Sequence, residues 1–394
     1  MIVTVGGSGL AELTCARLLL GRGHRVRLDA PPAAGFRPLI LNAETVALLD
    51  ELWGPGLLAR AWRLRARQVR WGRAPEVRAP GAAVVIDGAA LATTMLHRLT
   101  QHPVLTGATP PAGAVERGLW LGGTEVAGAA PGRRVVSGVP PEDPALVVAG
   151  RRHLLSSAGL RLARGVEEDV SFLETVPGGW VHLFPLGGGR AVAQAMVPGP
   201  AGRPGALLAE LLAGSGIGAR LAEPPDDAVA IPAAPRLHPA PAEPGRLTVG
   251  GGALRLDPIA GSGTAQALRT AILAAAVIDA QTGARPDGGD DRAPGRGQDY
   301  APGRGLDGRW NSPQEGRWDS PHEGRWERLH DHYAGRLRDV FRRHVLSCLR
   351  FYGEAFDSAD WRHELAAMRA ALPAAPPPAG LRLRGLGLVL TDDR

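Results

Sequence analysis

Twice along the chain, near its two ends, a short apolar run breaks into glycines and resumes as a helix. In the first copy Ile2 to Val5 form a buried-type strand, Gly7, Ser8 and Gly9 make a turn, and Leu10 to Leu20 carry helical apolar spacing. Gly21 and Gly23 stop that helix, and "HRVRLDA" follows as a second strand. The second copy is "RLTVGGGALRLDPIAGSGTAQALRTAILAAAVIDAQTG". A strand that feeds a helix and then a second strand after about thirty residues must cross over, which dictates parallel pairing and an α/β sheet. Each glycine turn also leaves a helix N-terminus open to an anion.

Between the two copies the pattern changes. Residues 38–82 read as mostly helical around "NAETVALLDELW", with Asn42 as N-cap and "GPG" as the stop. "AAVVIDGAALATTMLHRLTQ" reads as strand then helix, and "ALVVAGR" as a further buried strand. From residue 160 to 242 the chain alternates in strand fashion, most clearly at "SFLETVPGGWVHLFPLGGGRAVAQAMV". In "WVHLFP" this alternation puts Trp180, His182 and Phe184 on one face and Val181 and Leu183 on the other.

Residues 284–328 stand apart. "APGRG" begins at 293 and 301, and "GRW" at 308, 316 and 324, so an eight-residue period runs through both blocks. So polar and Gly/Pro-rich a stretch, carrying Trp310, Trp318 and Trp326, is expected to be a disordered insert. Two amphipathic helices follow over 329–375, then a Pro-rich tail over 376–394 with one strand. The expected organisation is a nucleotide-binding domain from 1–37, 83–159 and 243–283, interwoven with a strand-rich substrate domain from 38–82 and 160–242.

Composition narrows the partners. The 45 basic residues against 39 acidic ones give +6, but every basic residue is arginine and the sequence contains no lysine. With 54 Gly and 35 Pro, this reads as codon bias rather than a nucleic-acid footprint, because no basic stripe with interleaved aromatics appears. Neither nucleic acid nor a membrane is expected as a partner. Cys15 and Cys348 lack metal-type spacing, so no metal site is expected, and each should fill a helix face. A first strand starting at Ile2 leaves no room for a leader, and a cytoplasmic location is expected.

Taken in order, "VGGSGLAEL", "VVIDGAAL", "LVVAGR" and "LTVGGGALRLDPIAGSGTAQAL" resemble the motifs of single-FAD, Rossmann-type flavoprotein monooxygenases. "VPGGWVHLFPLGGGR" and the late "HVLSCLRFYGEAF" look like the branch that holds the tryptophan halogenases and the maturation monooxygenases of quinone-cofactor amine oxidases. The fold this implies is α/β, a Rossmann-type FAD-binding domain with an interwoven strand-rich substrate domain and C-terminal helices. The cofactor implied is FAD, with reduced nicotinamide or a separate flavin reductase as the electron source. Gly7, Ser8, Gly9, Leu10, Asp29 and Arg37 would hold it at the first turn, and Asp257, Pro258, Gly261, Ser262, Gly263 and Thr264 at the second. Trp180, His182 and Phe184 would line the substrate pocket, with His182 taking a phenolic or indolic proton.

The activity implied is hydroxylation of an aromatic substrate through a flavin hydroperoxide, the substrate being an indole, a phenol, or a tryptophan or tyrosine within a peptide. Family halogenases pass hypohalous acid through a lysine, and the absence of lysine points away from halogenation. Departures from the pattern leave two alternatives open. Glu12 stands where the third glycine belongs, Ala30 where the ribose-binding carboxylate falls, and Gly251 where an aspartate is usual. A charged Glu12 about 5 Å from a phosphate would oppose it by about 3 kcal/mol at an effective dielectric of about 20, so FAD would be loosely held. The chain is then either such an oxygenase or a non-catalytic scaffold of the same fold; a flavin-dependent reductase or dehydrogenase of natural-product tailoring is the third reading.

Overall fold

The computed structural model describes residues 2–29, 35–101, 119–121, 133–136, 146–282, 322–374, 381–384 and 387–390. Two sheets organise them. In the first, Ile2–Gly6 lies between Arg25–Asp29 and Arg133–Val136, and Arg246–Thr248 extends the row; all four strands run parallel. Leu119–Leu121 and Ala242–Glu243 close its two edges in antiparallel fashion. Helices Leu10–Gly21 and Gly263–Thr282, each leaving a glycine turn, pack on one another beside this sheet. The first is buried nearly all round, from Ala11 and Leu13 to Leu18, Leu19 and Leu20, as a helix between a sheet and another helix must be.

The second sheet has eight strands, in the order Val229–Pro232, His153–Arg161, Arg190–Val197, Gly179–Gly187, Val170–Val176, Trp62–Arg70, Val77–Asp87 and Pro38–Asn42. One face is closed by helix Pro204–Ala213, whose Leu208, Leu211 and Leu212 meet Val181, Leu183, Ala193 and Ala195. Helix His322–Ala355 ties the sheets together. Its Tyr333 hydroxyl donates to the Thr248 carbonyl at 2.6 Å beside the first sheet, and the Trp71 indole, just past the second, donates to the Phe351 carbonyl at 3.1 Å. Near its end Tyr352, Phe356 and Trp361 stack, with ring centroids 4.9 Å apart for Tyr352 and Trp361 and 4.4 Å for Phe356 and Trp361. Such pairs contribute about 1 kcal/mol each beyond their area.

Several expectations are corrected. Residues 38–82 are not mostly helical: only Ala43–Trp53 is, capped by Asn42 Oδ1 accepting from the Thr45 N–H at 2.9 Å. The stretch "WRLRARQVR" is a strand in which Leu64 and Ala66 are buried and Arg63 and Arg65 exposed. Arginine and alanine favour helices in isolation, and pairing on both sides overrides that preference. Residues 83–87 and 153–159 lie in the eight-stranded sheet rather than with the nucleotide-binding strands. Helix His322–Ala355 begins inside the segment expected to be disordered; residues 284–321, with Trp310 and Trp318, lie outside the described residues. "ALVVAGR" yields only the two-residue strand Val147–Val148, and the tail forms a hairpin of Leu381–Arg384 with Gly387–Leu390.

Cys15 and Cys348 are fully buried on helices, and burial pushes the Cys15 thiol up to about 12 and Cys348 higher still, so both stay protonated. Among the described residues no helix is long and apolar enough to cross a membrane.

Candidate functional site

The first strand ends in Gly7, whose φ of 122° no other residue adopts at ease, and the helix starts after Gly9 without a side-chain cap. Ser8, Gly9 and Leu10 are partly exposed there, so the amides at the helix start are accessible to an anion. Glu12, at the third helical position, turns back on the turn: a Cβ on Gly9 would overlap its Oε2. The second motif closes in from the other side. Gly250, with φ 59°, sits so near the first helix that a Cβ would come within 2.9 Å of the Ala11 methyl and 3.8 Å of Glu12 Oε1. The two glycine turns therefore meet across one carboxyl group.

That carboxyl is 3 % exposed, and burial raises its pKa to about 7 against the opposing pull of its own backbone N–H and of the Arg37 charge. Burial thus favours the protonated form of Glu12 towards neutral pH, which weakens the repulsion expected from a full charge, most of all in acid. Arg37 is exposed, its backbone N–H donates to Asp87 Oδ1 at 2.9 Å, and its charge also acts on Arg255. Two guanidinium groups near these turns favour an anionic ligand.

At the second turn Asp257 Oδ1 accepts from the Ile259 N–H at 2.9 Å and starts the short helix Pro258–Ala260, Gly261 takes φ 60°, and helix Gly263–Thr282 follows Ser262, with Thr264 in its first turn. In front of Gly251, Gly261 and Gly263 there is open space, with nothing within 4 Å of where a Cβ would stand. Glycine faces, helix-start amides and nearby cations suit the pyrophosphate and flat ring of FAD; Glu12, to the extent that it is charged, and the missing acid at Gly251 do not. Asp29 ends its strand in register with Gly6, and Ala30 lies outside the described residues.

Asp257 does not offer its carboxylate to a ligand. It is fully buried, accepting from Arg152 Nε at 2.9 Å and from the Tyr352 hydroxyl at 2.8 Å, while its own N–H donates to His344 Nε2 at 2.8 Å. Arg152 in turn donates to Glu364 Oε1 at 2.7 Å, and the Arg151 N–H donates to both Glu364 oxygens at 2.9 Å. Gly150, with φ 99°, makes room, since a Cβ there would overlap Glu364. Trp180 joins this network by donating its indole N–H to the Tyr352 oxygen at 3.2 Å. Burial lowers the pKa of His344 although Asp257 pulls the other way, which fits a neutral ring accepting at Nε2. Arg152, Tyr352, His344 and Glu364 escaped the sequence reading. A signal was present for one of them: Glu364 falls on the same helical stripe as Trp361, Leu365 and Met368, where a carboxylate has no business unless it is paired.

Trp180, His182 and Phe184 do share a face, but they do different things. Trp180 belongs to the main core and Phe184 to a small separate one, at 2 % and 1 % exposure, so neither is an open floor. His182 lies between them, its ring centroid 5.2 Å from that of Phe184, and its buried Nε2 has no hydrogen-bond partner among the described residues. Burial and then the Arg67 charge lower its pKa to about 3. The ring is held neutral, with one nitrogen free to hydrogen-bond a partner.

No family model and no curated protein sequence matches the chain. Solved structures do. The peptidyl tryptophan dihydroxylase QhpG, essential for tryptophylquinone cofactor biogenesis, superposes with a TM-score of 0.64 at 16 % identity over 99 % of this chain and 86 % of its own. The flavin-dependent halogenase CmlS gives 0.64 at 14 % identity over 92 % and 67 %. Klebsiella pneumoniae HpxO, solved with FAD and uric acid, gives 0.55 at 14 % identity over 94 % and 97 %. The chain has the Rossmann-type fold of FAD-dependent monooxygenases and halogenases.

Proposed function

We propose that this chain is an FAD-dependent, monooxygenase-like enzyme that hydroxylates an aromatic substrate. The observation that carries the reading is the meeting of two glycine turns at Gly9 and Gly250, with helix starts and open glycine faces around them. FAD, when bound, supplies the activation of dioxygen. One ring C–H, one dioxygen, two electrons and two protons become one ring C–OH and one water, with reduced nicotinamide or a flavin reductase as the proposed electron donor. The chain's own residues bind and orient. Amides at Ser8 to Leu10 and around Gly263 would hold the pyrophosphate, Arg37 would add positive charge, and Gly251 and Gly261 would let the backbone approach a planar ring. His182, 8 % exposed on the inner face of the eight-stranded sheet, holds a substrate hydroxyl or N–H by a hydrogen bond.

Titrating the purified chain with FAD while following flavin fluorescence tests this directly. Saturable quenching, followed by oxygen uptake that matches formation of a hydroxylated product, supports the reading; oxidation without oxygen incorporation would favour the reductase. The buried carboxyl of Glu12 and the missing acid at Gly251 favour a second reading, a scaffold that has lost the cofactor. Absence of quenching up to about 1 mM FAD, in the natural chain and in Glu12→Gln alike, would establish it. Halogenation is expected to be absent for want of a lysine, and a chlorinated or brominated product in a reconstituted assay would refute that.

A further inference from the structure

The face of the eight-stranded sheet turned away from helix Pro204–Ala213 carries two apolar blocks with a polar belt between them. At one end Leu154, Leu173, Trp180 and Met196 join the main core; at the other Leu64, Val85, Phe184 and Val192 form a cluster of their own. Strand register fills the interval. His182 pairs with Gln194, Gln194 with Ser156, and Arg67 with Ser171, two residues before Leu173, the other partner of His182. Directly paired residues share a face, so Arg67, Ser171, His182, Gln194 and Ser156 lie on one side of the sheet.

Arg67 differs from its neighbours on the same strand. Arg65 pairs with Asp169 at 2.6 Å and Glu167 at 2.8 Å, and Arg70 pairs with Glu174. Arg67, partly buried, has no carboxylate within ion-pair reach among the described residues, and the group its charge acts on is the neutral ring of His182. The belt thus holds an unpaired guanidinium and, two strands away on the same face, a buried imidazole nitrogen without a partner among the described residues. Burying such groups costs free energy unless something else satisfies them, and a planar guanidinium fork is matched by a carboxylate.

We propose that Arg67 binds a carboxylate on the substrate while His182 Nε2 hydrogen-bonds the hydroxyl or N–H of its ring, so that the molecule hydroxylated is a small aromatic acid and not a neutral aromatic. The proposal rests on the hydroxylase reading and names the substrate class for it. No bond is made or broken at Arg67; its part is to bind and orient.

Calorimetric titration of the full chain with FAD present, using 4-hydroxybenzoate and indole-3-acetate against 4-hydroxybenzamide and indole-3-acetamide, tests it. At least one acid should bind about tenfold or more tightly than its amide, with a preference that shrinks as salt is raised. Arg67→Gln should abolish the preference and Arg67→Lys retain part of it, with unchanged circular dichroism; His182→Phe should weaken acid and amide alike. Equal binding of acid and amide, no binding of either acid, or a preference that survives Arg67→Gln would overturn the proposal. The two readings fail separately. FAD binding without an acid preference sinks the aromatic-acid site alone, whereas Arg67-dependent acid binding in a chain that never binds FAD sinks the hydroxylase reading alone.

Discussion

Two arginines, Arg152 and Arg67, show what a buried charge is for. Arg152 is fully enclosed and held by two carboxylates, Asp257 and Glu364, with the Tyr352 ring alongside, its centroid 5.2 Å from the guanidinium carbon. Arg67 is partly exposed and meets a polar belt that supplies no carboxylate among the described residues. The first arrangement is closed, because its carboxylates are used up inside the protein, and it fixes the position of the second glycine turn relative to the C-terminal helices. The second is open, and an open polar site is where a ligand has something to contribute. Glu12 falls between the two, buried like Arg152 but with only its backbone N–H and a nearby charge to steady it.

The largest effect should come from breaking the closed arrangement. Arg152→Met leaves Asp257 and Glu364 buried without their cation, and removing one partner of a buried pair typically costs about 3–5 kcal/mol. Chemical denaturation should show a loss of that size, and the Arg152→Met, Asp257→Asn, Glu364→Gln triple change should recover a large part of it, since it removes all three charges together. If the single change is tolerated within about 1 kcal/mol, the network is not what holds the second turn.

Glu12 gives an intermediate effect with a definite pH signature. Its pKa is raised from 4.5 to about 7, so below pH 4.5 the folded and unfolded chains are both protonated and nothing is lost. As the pH climbs from 4.5 to 7 the unfolded chain releases the proton and the folded one keeps it, and stability falls until the cost levels off at about 3 kcal/mol above pH 7. Glu12→Gln should therefore match the natural chain at pH 4.5 and exceed it at pH 8, while making FAD affinity less dependent on pH. A stability difference of the same size at both values would mean that shape, not charge, distinguishes the two.

These contrasts also explain which parts could be read from sequence. The glycine turns, the Asn42 cap, and the shared face of Trp180, His182 and Phe184 all depend on neighbours within a few residues, and spacing alone exposes them. Arg152 and Glu364 are 212 residues apart, so nothing near either one announces the pair. The strand Trp62–Arg70 was hidden for another reason: in a chain whose cations are all arginine, its residues look like exposed helix, and the stems that cover the sheet are indistinguishable from surface charge. His182 was found from alternation, but the burial and the Arg67 charge that keep its ring neutral come from other strands of the sheet and leave no local trace in the sequence.

The smallest effect on folding should be that of Arg67. Arg152 cannot be lost without leaving carboxylates stranded, but Arg67 can be removed without orphaning any described partner. Its partial burial carries a desolvation cost that no ion pair offsets, and solvent screening reduces that cost because the group still reaches water. Arg67→Gln should thus leave the ligand-free chain within about 0.5 kcal/mol of its original stability, on the favourable side if anything, which is the pattern of a binding residue kept at the expense of the fold. Denaturant midpoints for the ligand-free protein measure this. A loss of 1 kcal/mol or more would mean that Arg67 has a structural partner after all, and the distinction between the closed and open arginines would collapse.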